Sequence, residues 1–305
     1  MKLYLVFLAV LLPALITSDD ISVLKQQIQH LQTELAKEKA EIKALQSKDE
    51  ARNGICHIKS NPCGSCLCIE DYNIPQKYFC DCREKPARKD CREHYDEGER
   101  TNGLYQIKLF ELRTIQVFCD HETTPGGWTV IQHRFDGSEN FYRSWEEYKQ
   151  GFGQLHREHW LGNEYISLLT AQAAISGSEL RVDMKFAKLP TQYHMLYGNF
   201  DVGRETTGYQ LHVVDKKTTF GMELHNGMKF STFDKNQDPN PYVNCAVAMH
   251  AGWWFSDCER DANLNQSCNL NGLYDLLESR TEMKNVFSWK AYYRLGASEM
   301  KVRRK

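Results

Sequence analysis

The chain has 305 residues, 41% of them hydrophobic, so it can bury a sizeable core and could hold two domains. Its formal net charge of −2 argues against wholesale binding to nucleic acid or to an anionic membrane surface. Eleven cysteines favour an oxidising compartment, because disulfides rarely persist in the cytosol.

Residues 1–18 are typical of a secretory signal peptide. A positive charge at Lys2 precedes an apolar run over Leu3–Ile16, which ends at the small residues Thr17 and Ser18. An uncleaved membrane anchor is the alternative, but this run is short, contains a proline, and is not followed by another apolar stretch of about 18 residues. The sequence therefore predicts a secreted, extracellular protein without a membrane span.

Residues 19–50 predict a coiled coil. The segment contains no glycine or proline, and its apolar residues alternate in steps of three and four, which are heptad positions a and d. These residues are Ile21, Leu24, Ile28, Leu31, Leu35, Ile42 and Leu45, with Glu38 as the interruption. We expect a homo-oligomer whose number of strands stays open; a lone amphipathic helix packed on the globular part is the alternative.

Residues 52–90 form a small disulfide-rich segment. Its cysteines are Cys56, Cys63, Cys66, Cys68, Cys80 and Cys82, and Cys91 follows nine residues after the last of them. The Cys-x-Cys pair followed by Cys91 resembles an EGF-like module, although Cys66 is surplus to that pattern. We interpret the segment as a degenerate EGF-like module whose pairing stays open, with a disulfide-stapled spacer as the simpler interpretation.

Residues 90–305 alternate short β-rich runs with helix-like stretches, and turn-forming residues separate them. The strand-like runs include Leu104–Ile107, Gln116–Cys119 and Trp128–His133, and the helix-like ones include Ser144–Tyr148 and Ile166–Thr170. This pattern predicts an α+β domain with many loops. The basic end, Lys301–Lys305, is expected to be a short exposed tail.

Five motifs in this part of the chain resemble the fibrinogen C-terminal domain shared by fibrinogen chains, ficolins, tachylectins and angiopoietins. They are Gly126–Gln132, Asp136–Phe141, Trp160–Asn163, Asn244–Tyr274 and Met300–Arg303. The resemblance implies a globular domain with a central antiparallel sheet, short flanking helices and a loop-built binding region near the C-terminus. It also implies the disulfides Cys91–Cys119 and Cys245–Cys258. These pairings leave Cys268 over. It is then a free thiol, is bonded to a partner chain, or is paired in a way that the family pattern does not predict.

A calcium site is indicated by Asp234, Asn236 and Asp238, which place side-chain oxygens at alternate positions of one loop. An Asp/Asn-rich turn satisfied by its own backbone is the alternative. The flanking sequence is similar to the family's calcium loop, which implies Ca2+ bound by Asn236 and Asp238, supported by Asp234 and by carbonyls around Asn240 and Tyr242. Asn236 stands where the family usually has Asp, and the loop appears one residue longer, so we expect a lowered affinity.

The resemblance to ficolins and tachylectins implies that the region after this loop forms a pocket for the acetyl groups of sugars. Aromatic rings would pack on the acetyl methyl group while a backbone group binds the amide. The candidate ligand-binding residues are Phe255, Asp257, Cys258, Glu259, Tyr274, Trp289 and Tyr292, with Tyr293 beside them. Trp253 and Trp254 are expected in the core, and Trp289 fits either the core or the rim.

This region departs from the lectin pattern in two ways. Glu259 occupies a position where His is common in the family, and together with Asp257 and Asp261 it disfavours anionic ligands and favours amines or basic peptide ends. An insertion of about seven residues relative to the family creates the sequon Asn265-Gln266-Ser267, which predicts a glycan on Asn265 beside the pocket.

The leading hypothesis for the function is a secreted calcium-dependent lectin-like protein that binds acetylated glycans on microbial or cell surfaces, in innate immune recognition. Avidity from a coiled-coil oligomer would strengthen a weak single site. The alternative is an angiopoietin-like ligand or modulator of a cell-surface receptor; a structural matrix or clotting component is a third interpretation. An enzyme is not expected, since the sequence contains no hydrolase, zinc-protease, phosphate-loop or dinucleotide motif.

Overall fold

The computed structural model describes residues 25–40, 55–56, 61–110, 112–188, 192–214, 221–258, 268–274, 287–289 and 293–305. The chain divides into two compact units, Met1–Asn61 and Pro62–Lys305. The predicted signal peptide, residues 1–18, lies outside the described residues.

The first unit contains helix α1, which covers residues 25–40 of the predicted coiled coil. All its side chains are exposed, and Ile28, Leu31 and Leu35 keep half or more of their surface open, at 54%, 66% and 50%. These residues form one apolar stripe on the helix, as heptad positions require. The stripe is available for pairing with another helix, and the coiled coil stays a prediction. No helix in the described part of the chain is both long and apolar enough to span a membrane.

The second unit is built on a large, mostly antiparallel sheet. The described strands are β1 (Leu67–Glu70), β2 (Tyr78–Asp81), β3 (Gly103–Leu109), β4 (Arg113–Asp120), β5 (Trp128–Arg134), β6 (Phe152–Gly153), β7 (His159–Trp160), β8 (Ser178–Phe186), β9 (Gln192–Tyr197), β10 (Asn199–Val202), β11 (Leu211–Val214), β12 (Ser288–Trp289) and β13 (Tyr293–Arg304). The main order is β1-β2-β3-β4-β5-β13-β8-β9, with β7 beside β5, β6 beside β7, and β12 beside β13. Strands β10 and β11 form a separate pair.

The last strand, β13, lies in the middle of this sheet, between β5 and β8. Met300 and Val302 point to the core, whereas Lys301 lies on the opposite face, because side chains alternate along a strand. The expectation that Lys301–Lys305 is an exposed tail is therefore wrong for most of this segment. Lys301 is only 2% exposed and is surrounded by carboxylates, and only the final residue lies beyond the strand.

Short helices of the second unit flank the sheet. They are α2 (Cys91–Asp96), α3 (Trp145–Gln150), α4 (Asn163–Gln172) and α5 (Cys245–Ala248), with 3₁₀ turns at Glu205–Thr207 and Met222–His225. Helix α3 begins at a capping box, in which the Ser144 side chain accepts from the Glu147 N–H and the Glu147 carboxylate accepts from the Ser144 N–H. The α+β class, with an antiparallel sheet and few helices, is confirmed.

The core next to the candidate site consists largely of aromatic rings. Trp160, Phe230, Trp253 and Trp254 are each 1% exposed or less, and their ring centroids lie 5.1 to 6.5 Å apart. Such large rings bury much apolar area and favour edge-to-face contacts. Trp253 and Trp254 therefore occupy the core positions expected of them.

From Pro62 onward, the disulfide-rich segment belongs to the second unit and forms the β1–β2 hairpin. Two of its disulfides join Cys63 to Cys80 and Cys66 to Cys82, and Cys56 and Cys68 are disulfide-bonded as well. The strand β2 continues the main sheet through a parallel contact with β3. The Asp71 carboxylate lies 3.3 Å from His156 Nε2 and 3.1 Å from Arg157 Nε, which fixes the hairpin tip to the domain.

Candidate functional site

The predicted calcium loop begins with a tight turn next to α3. Thr232 and Lys235 exchange two backbone hydrogen bonds of 3.0 and 3.1 Å. Asp234 Oδ1 accepts from the backbone N–H of Trp145 at 2.9 Å and from the Thr232 hydroxyl at 2.7 Å. The structure thus places Asp234 at the first residue of α3, where a carboxylate also complements the positive end of the helix. Asp234 has a structural role there, whether or not it supports a metal.

Asp238 lies at the centre of the next part of the loop. Its Oδ1 accepts from the Asn240 N–H at 3.1 Å, and its Oδ2 accepts from the Cys245 N–H at 3.0 Å. Asn236 Oδ1 accepts from the Asp238 N–H at 3.2 Å, and the Asn240 side-chain amide donates to Asp257 Oδ1 at 3.1 Å. These bonds connect the predicted calcium loop directly to the two ends of the loop closed by Cys245.

The charge around Asp238 is unbalanced. Burial raises the pKa of Asp238, backbone donors from Cys245 and Asn240 lower it, and the negative charge of Asp257 raises it again. None of these groups is a cation. A carboxylate, side-chain amides and backbone carbonyls are the oxygen donors that Ca2+ prefers, so the donor chemistry fits this ion. Within the described ranges, His, Cys, Asp and Glu side chains form no group of three or more able to hold a metal, so a calcium ion here would depend on amide and carbonyl oxygens.

A disulfide between Cys245 and Cys258 closes the loop that follows, and a second one joins Cys91 to Cys119. Both are the pairings that the family resemblance implies. Helix α5 begins at Cys245, and its N-cap is Asn244, whose side chain accepts from the Val247 N–H at 3.2 Å and donates to the Phe233 carbonyl at 3.2 Å. The predicted calcium loop, helix α5 and the Cys245–Cys258 disulfide are therefore connected by hydrogen bonds.

The predicted pocket residues that the structure describes are mostly buried. Phe255, Cys258 and Trp289 are 2%, 4% and 5% exposed. Trp289 packs so tightly on Gly221 that a Cβ there would lie 2.6 Å from the indole ring, and Gly221 also has a positive φ of 106°. These three side chains are therefore packed in the interior of the domain.

Tyr274 is held in a similar supporting position. Its hydroxyl lies within hydrogen-bond distance of the carbonyls of Phe135, at 2.8 Å, and Gly296, at 2.7 Å, and its ring stacks on Phe287. Asp257 is half-buried and bonded to Asn240. The predictions for Glu259, Tyr292 and the glycan on Asn265 fall outside the described residues.

Three partly exposed rings lie next to the calcium loop instead. The ring centroid of Tyr142 is 4.9 Å from that of Phe233 and 5.3 Å from that of His250. Phe233 keeps 38% of its surface exposed, and Val247 on α5 keeps 46%. We call Tyr142, Phe233 and His250 the aromatic face. The sequence offered one signal for it, the position of Phe233 immediately before Asp234.

Two buried charged residues behind the site were also missed from the sequence. Arg134 is 2% exposed, lies over the rings of Phe141 and Phe287 at 4.3 and 4.7 Å, and donates to the Gly272 carbonyl. Burial lowers the pKa of Arg134 to about 10, against the opposing charge of Glu158. The Glu158 carboxylate accepts from four backbone N–H groups between residues 135 and 139. These contacts fix the segments that carry Tyr274 and Phe287.

Cys268 is a buried thiol. Its Sγ lies 3.1 Å from His225 Nε2, while His225 Nδ1 lies 2.7 Å from the Trp254 carbonyl. The Nδ1 contact requires a proton on Nδ1, which leaves Nε2 as an acceptor for the thiol. Among the described residues, Cys268 thus forms no disulfide with another cysteine of the chain.

The fold and the disulfides together define a disulfide-stapled α+β domain. The model of the family "Fibrinogen beta and gamma chains, C-terminal globular domain" matches residues 87–305. The chain therefore belongs to the fibrinogen C-terminal domain family.

Relatives of known sequence include mouse angiopoietin-4, 39% identical over 72% of this chain and 42% of its own length, and ryncolin-4 of Cerberus rynchops, 38% identical over 77% and 64%. The chain thus spans less than two thirds of the length of either relative. Mouse fibrinogen-like protein 1 is 37% identical, over 74% of this chain and 74% of its own length.

Two solved structures are also similar to the chain. The fibrinogen-like globe domain of human ANGPTL2 superposes with a TM-score of 0.64 at 33% identity, covering 71% of this chain and 98% of that domain. A lamprey fibrin D-dimer complexed with the peptide Gly-His-Arg-Pro-amide superposes with a TM-score of 0.60 at 29% identity, over 93% of this chain and 92% of that one.

Proposed function

We propose that the protein is a secreted, calcium-dependent recognition protein that binds acetylated glycans on microbial or cell surfaces. The observation that supports this most is the bond network around Asp238, which couples a cation-deficient acidic loop to the loop closed by Cys245 and Cys258. An ion bound at Asp238 would therefore set the position of the binding end. Binding rather than catalysis is also what the family supports.

Ca2+ would be held by Asp238 and Asn236, together with backbone carbonyls near Asn240 and Tyr242. The bound ion supplies positive charge to a region where Asp238 and Asp257 lie close in the fold. This chain's own residues do the rest: Asn240 connects Asp257 to the loop, and the backbone N–H of Cys245 fixes Asp238. Removing the ion should loosen this end of the domain first.

The aromatic face supplies the surface on which a sugar could pack. Carbohydrate rings and acetyl methyl groups offer C–H surface that stacks on aromatic side chains, while nearby polar groups provide direction. The Tyr142 ring lies within contact distance of both Phe233 and His250, and Phe233 directly precedes the predicted calcium loop. The aromatic face is more exposed than the predicted walls Phe255 and Trp289.

Self-association through α1 would raise the apparent affinity. A single shallow sugar site is weak, but joining several domains makes each later contact intramolecular, which gains about 10² to 10⁴ in apparent affinity. The exposed stripe of Ile28, Leu31 and Leu35 is the feature that supports such an oligomer. A truncated protein without residues 19–50 should then bind a dense glycan surface much more weakly.

The second candidate is a ligand or modulator of a cell-surface receptor. Phe233, Tyr242 and Val247 expose 38%, 88% and 46% of their surface near one end of the domain, and exposed aromatic groups are enriched in protein interfaces. The similarity to angiopoietin-4 adds to this candidate. A receptor interface of roughly 1,600 Å² would not be displaced by a free monosaccharide.

Retention on N-acetylglucosamine resin, in calcium and in chelator, tests the proposal. We expect retention that requires calcium, elution by free N-acetylglucosamine, and loss of retention in Asp238→Asn. Phe233→Ala should weaken retention, whereas Leu112→Ala, which removes a 91% exposed side chain elsewhere, serves as the matched control and should not.

Failure of the folded wild-type protein to bind the resin would overturn the glycan proposal. Binding that persists in chelator would separate the sugar site from the calcium loop and remove the calcium part. If the resin binds nothing but intact cells capture the protein in a sugar-insensitive way, the receptor-ligand function is supported.

A further inference from the structure

We propose that Met222, His225 and Cys268 form a binding site for one soft monovalent metal ion of the copper(I) class. The three side chains are 0%, 1% and 1% exposed, so they meet in the interior of the domain. Their donor atoms are a thioether sulfur, an imidazole nitrogen and a thiol sulfur. The inference goes beyond the proposed glycan function, because calcium takes oxygen donors, as the loop around Asp238 offers, and not sulfur.

Two of the three donors come from one 3₁₀ turn, Met222–His225. In a 3₁₀ helix the side chains at positions i and i+3 lie one above the other, because about three residues complete a turn. Met222 and His225 have this spacing, so the turn presents both on the same side. Cys268 comes from a distant part of the chain, and its Sγ lies 4.0 Å from Met222 Sδ and 3.1 Å from His225 Nε2.

His225 presents the correct nitrogen to the other two donors. Its Nδ1 donates to the Trp254 carbonyl at 2.7 Å, so the lone pair of Nε2 faces Cys268. An N–H bond of this kind to a carbonyl orients metal-binding histidines in proteins and fixes their tautomer. Trp254 is held in turn, since its Nε1 donates to the Tyr209 carbonyl at 2.7 Å. The imidazole is therefore oriented before an ion binds.

The distances between the donors suit a three-coordinate ion. Bonds of about 2.0 Å to nitrogen and 2.3 Å to sulfur place two donors of a trigonal ion about 3.7 to 4.0 Å apart. The distance of 4.0 Å between the sulfurs of Cys268 and Met222 already has this value. The thiol proton holds Cys268 Sγ close to His225 Nε2, and a metal ion in place of this proton would separate the two atoms by roughly half an ångström more.

The kind of donor selects the ion. Thiolate and thioether sulfur are soft ligands that favour copper(I), whereas carboxylates and carbonyls suit calcium and magnesium. Zinc usually takes cysteine, histidine and carboxylate ligands. In the part of the chain that the structure describes, such side chains form no group of three able to hold a metal, so zinc would lack its usual set. The thioether of Met222 is the third donor that copper(I) accepts.

The charge balance also favours a monovalent ion. Binding breaks the S–H bond of Cys268, the sulfur keeps the electron pair and bonds the metal, and the proton leaves to solvent. No atom is oxidised or reduced. Because one positive ion replaces one proton beside a neutral imidazole and a neutral thioether, the buried group gains no net charge. A divalent ion would add one, and an uncompensated buried charge is costly.

Competition with bicinchoninate tests the site, using copper(I) kept reduced by ascorbate and the full-length protein with its disulfides intact. We expect the wild type to withdraw one equivalent of copper(I) from the chelator. Cys268→Ser should weaken this binding at least about 100-fold, more than loss of an outer hydrogen bond does, and Met222→Leu about 3-fold or more. Met184→Leu, at a buried methionine on β8, is the matched control and should change nothing, since leucine and methionine have similar volumes.

The pH dependence gives a second readout. Because one proton leaves for each ion bound, the apparent affinity of the wild type should rise about tenfold per pH unit near neutral pH. Circular dichroism of each variant checks that it folds; serine keeps a hydroxyl that can donate to His225 in place of the thiol.

A wild-type protein that withdraws no copper(I) would overturn the proposal. So would wild-type affinity in Cys268→Ser or in Met222→Leu, because the ion would then bind elsewhere or without the thioether. Saturating calcium and N-acetylglucosamine should leave the copper(I) affinity unchanged, so failure of this site and failure of the glycan site are separate results.

Discussion

Two regions of the domain contain buried or half-buried carboxylates, and the partners of these carboxylates differ between the two regions. Behind β13, Asp120, Asp183 and Glu299 converge on the ammonium of Lys301 at 2.5 to 2.8 Å. In the predicted calcium loop, Asp238 is half-buried near Asp257, with backbone donors as its partners. We call the first group the Lys301 cluster. The protein supplies its own cation in the cluster, and we propose that calcium supplies the cation in the loop.

The pKa values follow this difference. Burial works to raise the pKa of Asp120, but the charge and hydrogen bond of Lys301 outweigh it and hold that pKa below its usual value. For Asp238, burial raises the pKa and the charge of Asp257 adds to it, so the net shift is upward. The charge of Lys301 therefore stabilises Asp120 in its ionised form, whereas no cation does so for Asp238 among the groups that shift its pKa.

The largest expected effect comes from removing the cation of the cluster. Lys301→Met leaves the buried Asp120 and the partly exposed Asp183 and Glu299 without their ammonium, so we expect a loss of about 3 kcal/mol in the free energy of unfolding. Urea unfolding with disulfides intact measures it. Lys305→Met, at the exposed terminal residue, is the control and should stay within about 0.5 kcal/mol of wild type.

Removing the disulfide of the loop region should have the next largest effect. Replacing both Cys245 and Cys258 with Ala should lower stability by about 2–4 kcal/mol, because the unfolded chain gains freedom. We also expect it to abolish calcium binding, since the Cys245 N–H positions Asp238. The same double change at Cys91 and Cys119 should destabilise comparably yet leave calcium binding intact, and loss of calcium binding there too would refute this distinction.

The pH dependence of stability should separate the two regions further. Asp120 has a lowered folded-state pKa, so its stabilising contribution is present above the ordinary value of about 3.8 and is lost as pH falls through the folded-state pKa. The difference between wild type and Asp120→Asn should therefore shrink with acidity in that window, by on the order of 1.4 kcal/mol per pH unit. Thermal unfolding between pH 2 and pH 7 measures this; a difference that stays constant with pH would contradict the assignment.

The smallest expected effect is that of Asp238→Asn in chelator. This change removes a half-buried charge near Asp257, but it leaves one of the two backbone N–H donors without its acceptor oxygen, so the gain and the loss oppose each other. Stability should rise or stay within about 1 kcal/mol of wild type. A loss of several kcal/mol in a chelator-containing thermal melt would show that the charge of Asp238 is itself structural, as in the Lys301 cluster.

Much of the fold could be predicted from sequence because its motifs are specific. The Gly-Trp-Trp-Phe run and the spacing of Cys245 and Cys258 indicated the family, and the family carries the sheet and the positions of Trp253 and Trp254. Lys301 was missed because a basic C-terminal run resembles a solvated tail, and nothing local shows that the last strand enters the centre of the sheet.

The site was harder to predict for a physical reason. Phe255, Tyr274 and Trp289 have the ring chemistry of pocket walls and of a core alike, and only packing against distant segments decides between them. Asp234 likewise has the chemistry of a ligand, but its oxygen is used by the start of α3, nearly ninety residues away in sequence. Such assignments depend on contacts between segments that no local pattern records.

Calorimetric titration tests most directly whether calcium binds beside the half-buried carboxylate of Asp238. We expect saturable Ca2+ binding to the wild-type protein and a gain in stability that grows with calcium, about 2.7 kcal/mol at a hundredfold excess over Kd. In Asp238→Asn the affinity for calcium should fall at least about 10-fold and the gain in stability should shrink with it, while Asp201→Asn, a control on β10, should behave as wild type. Calcium binding that is absent from the wild type, or unchanged in Asp238→Asn, would contradict the proposed site.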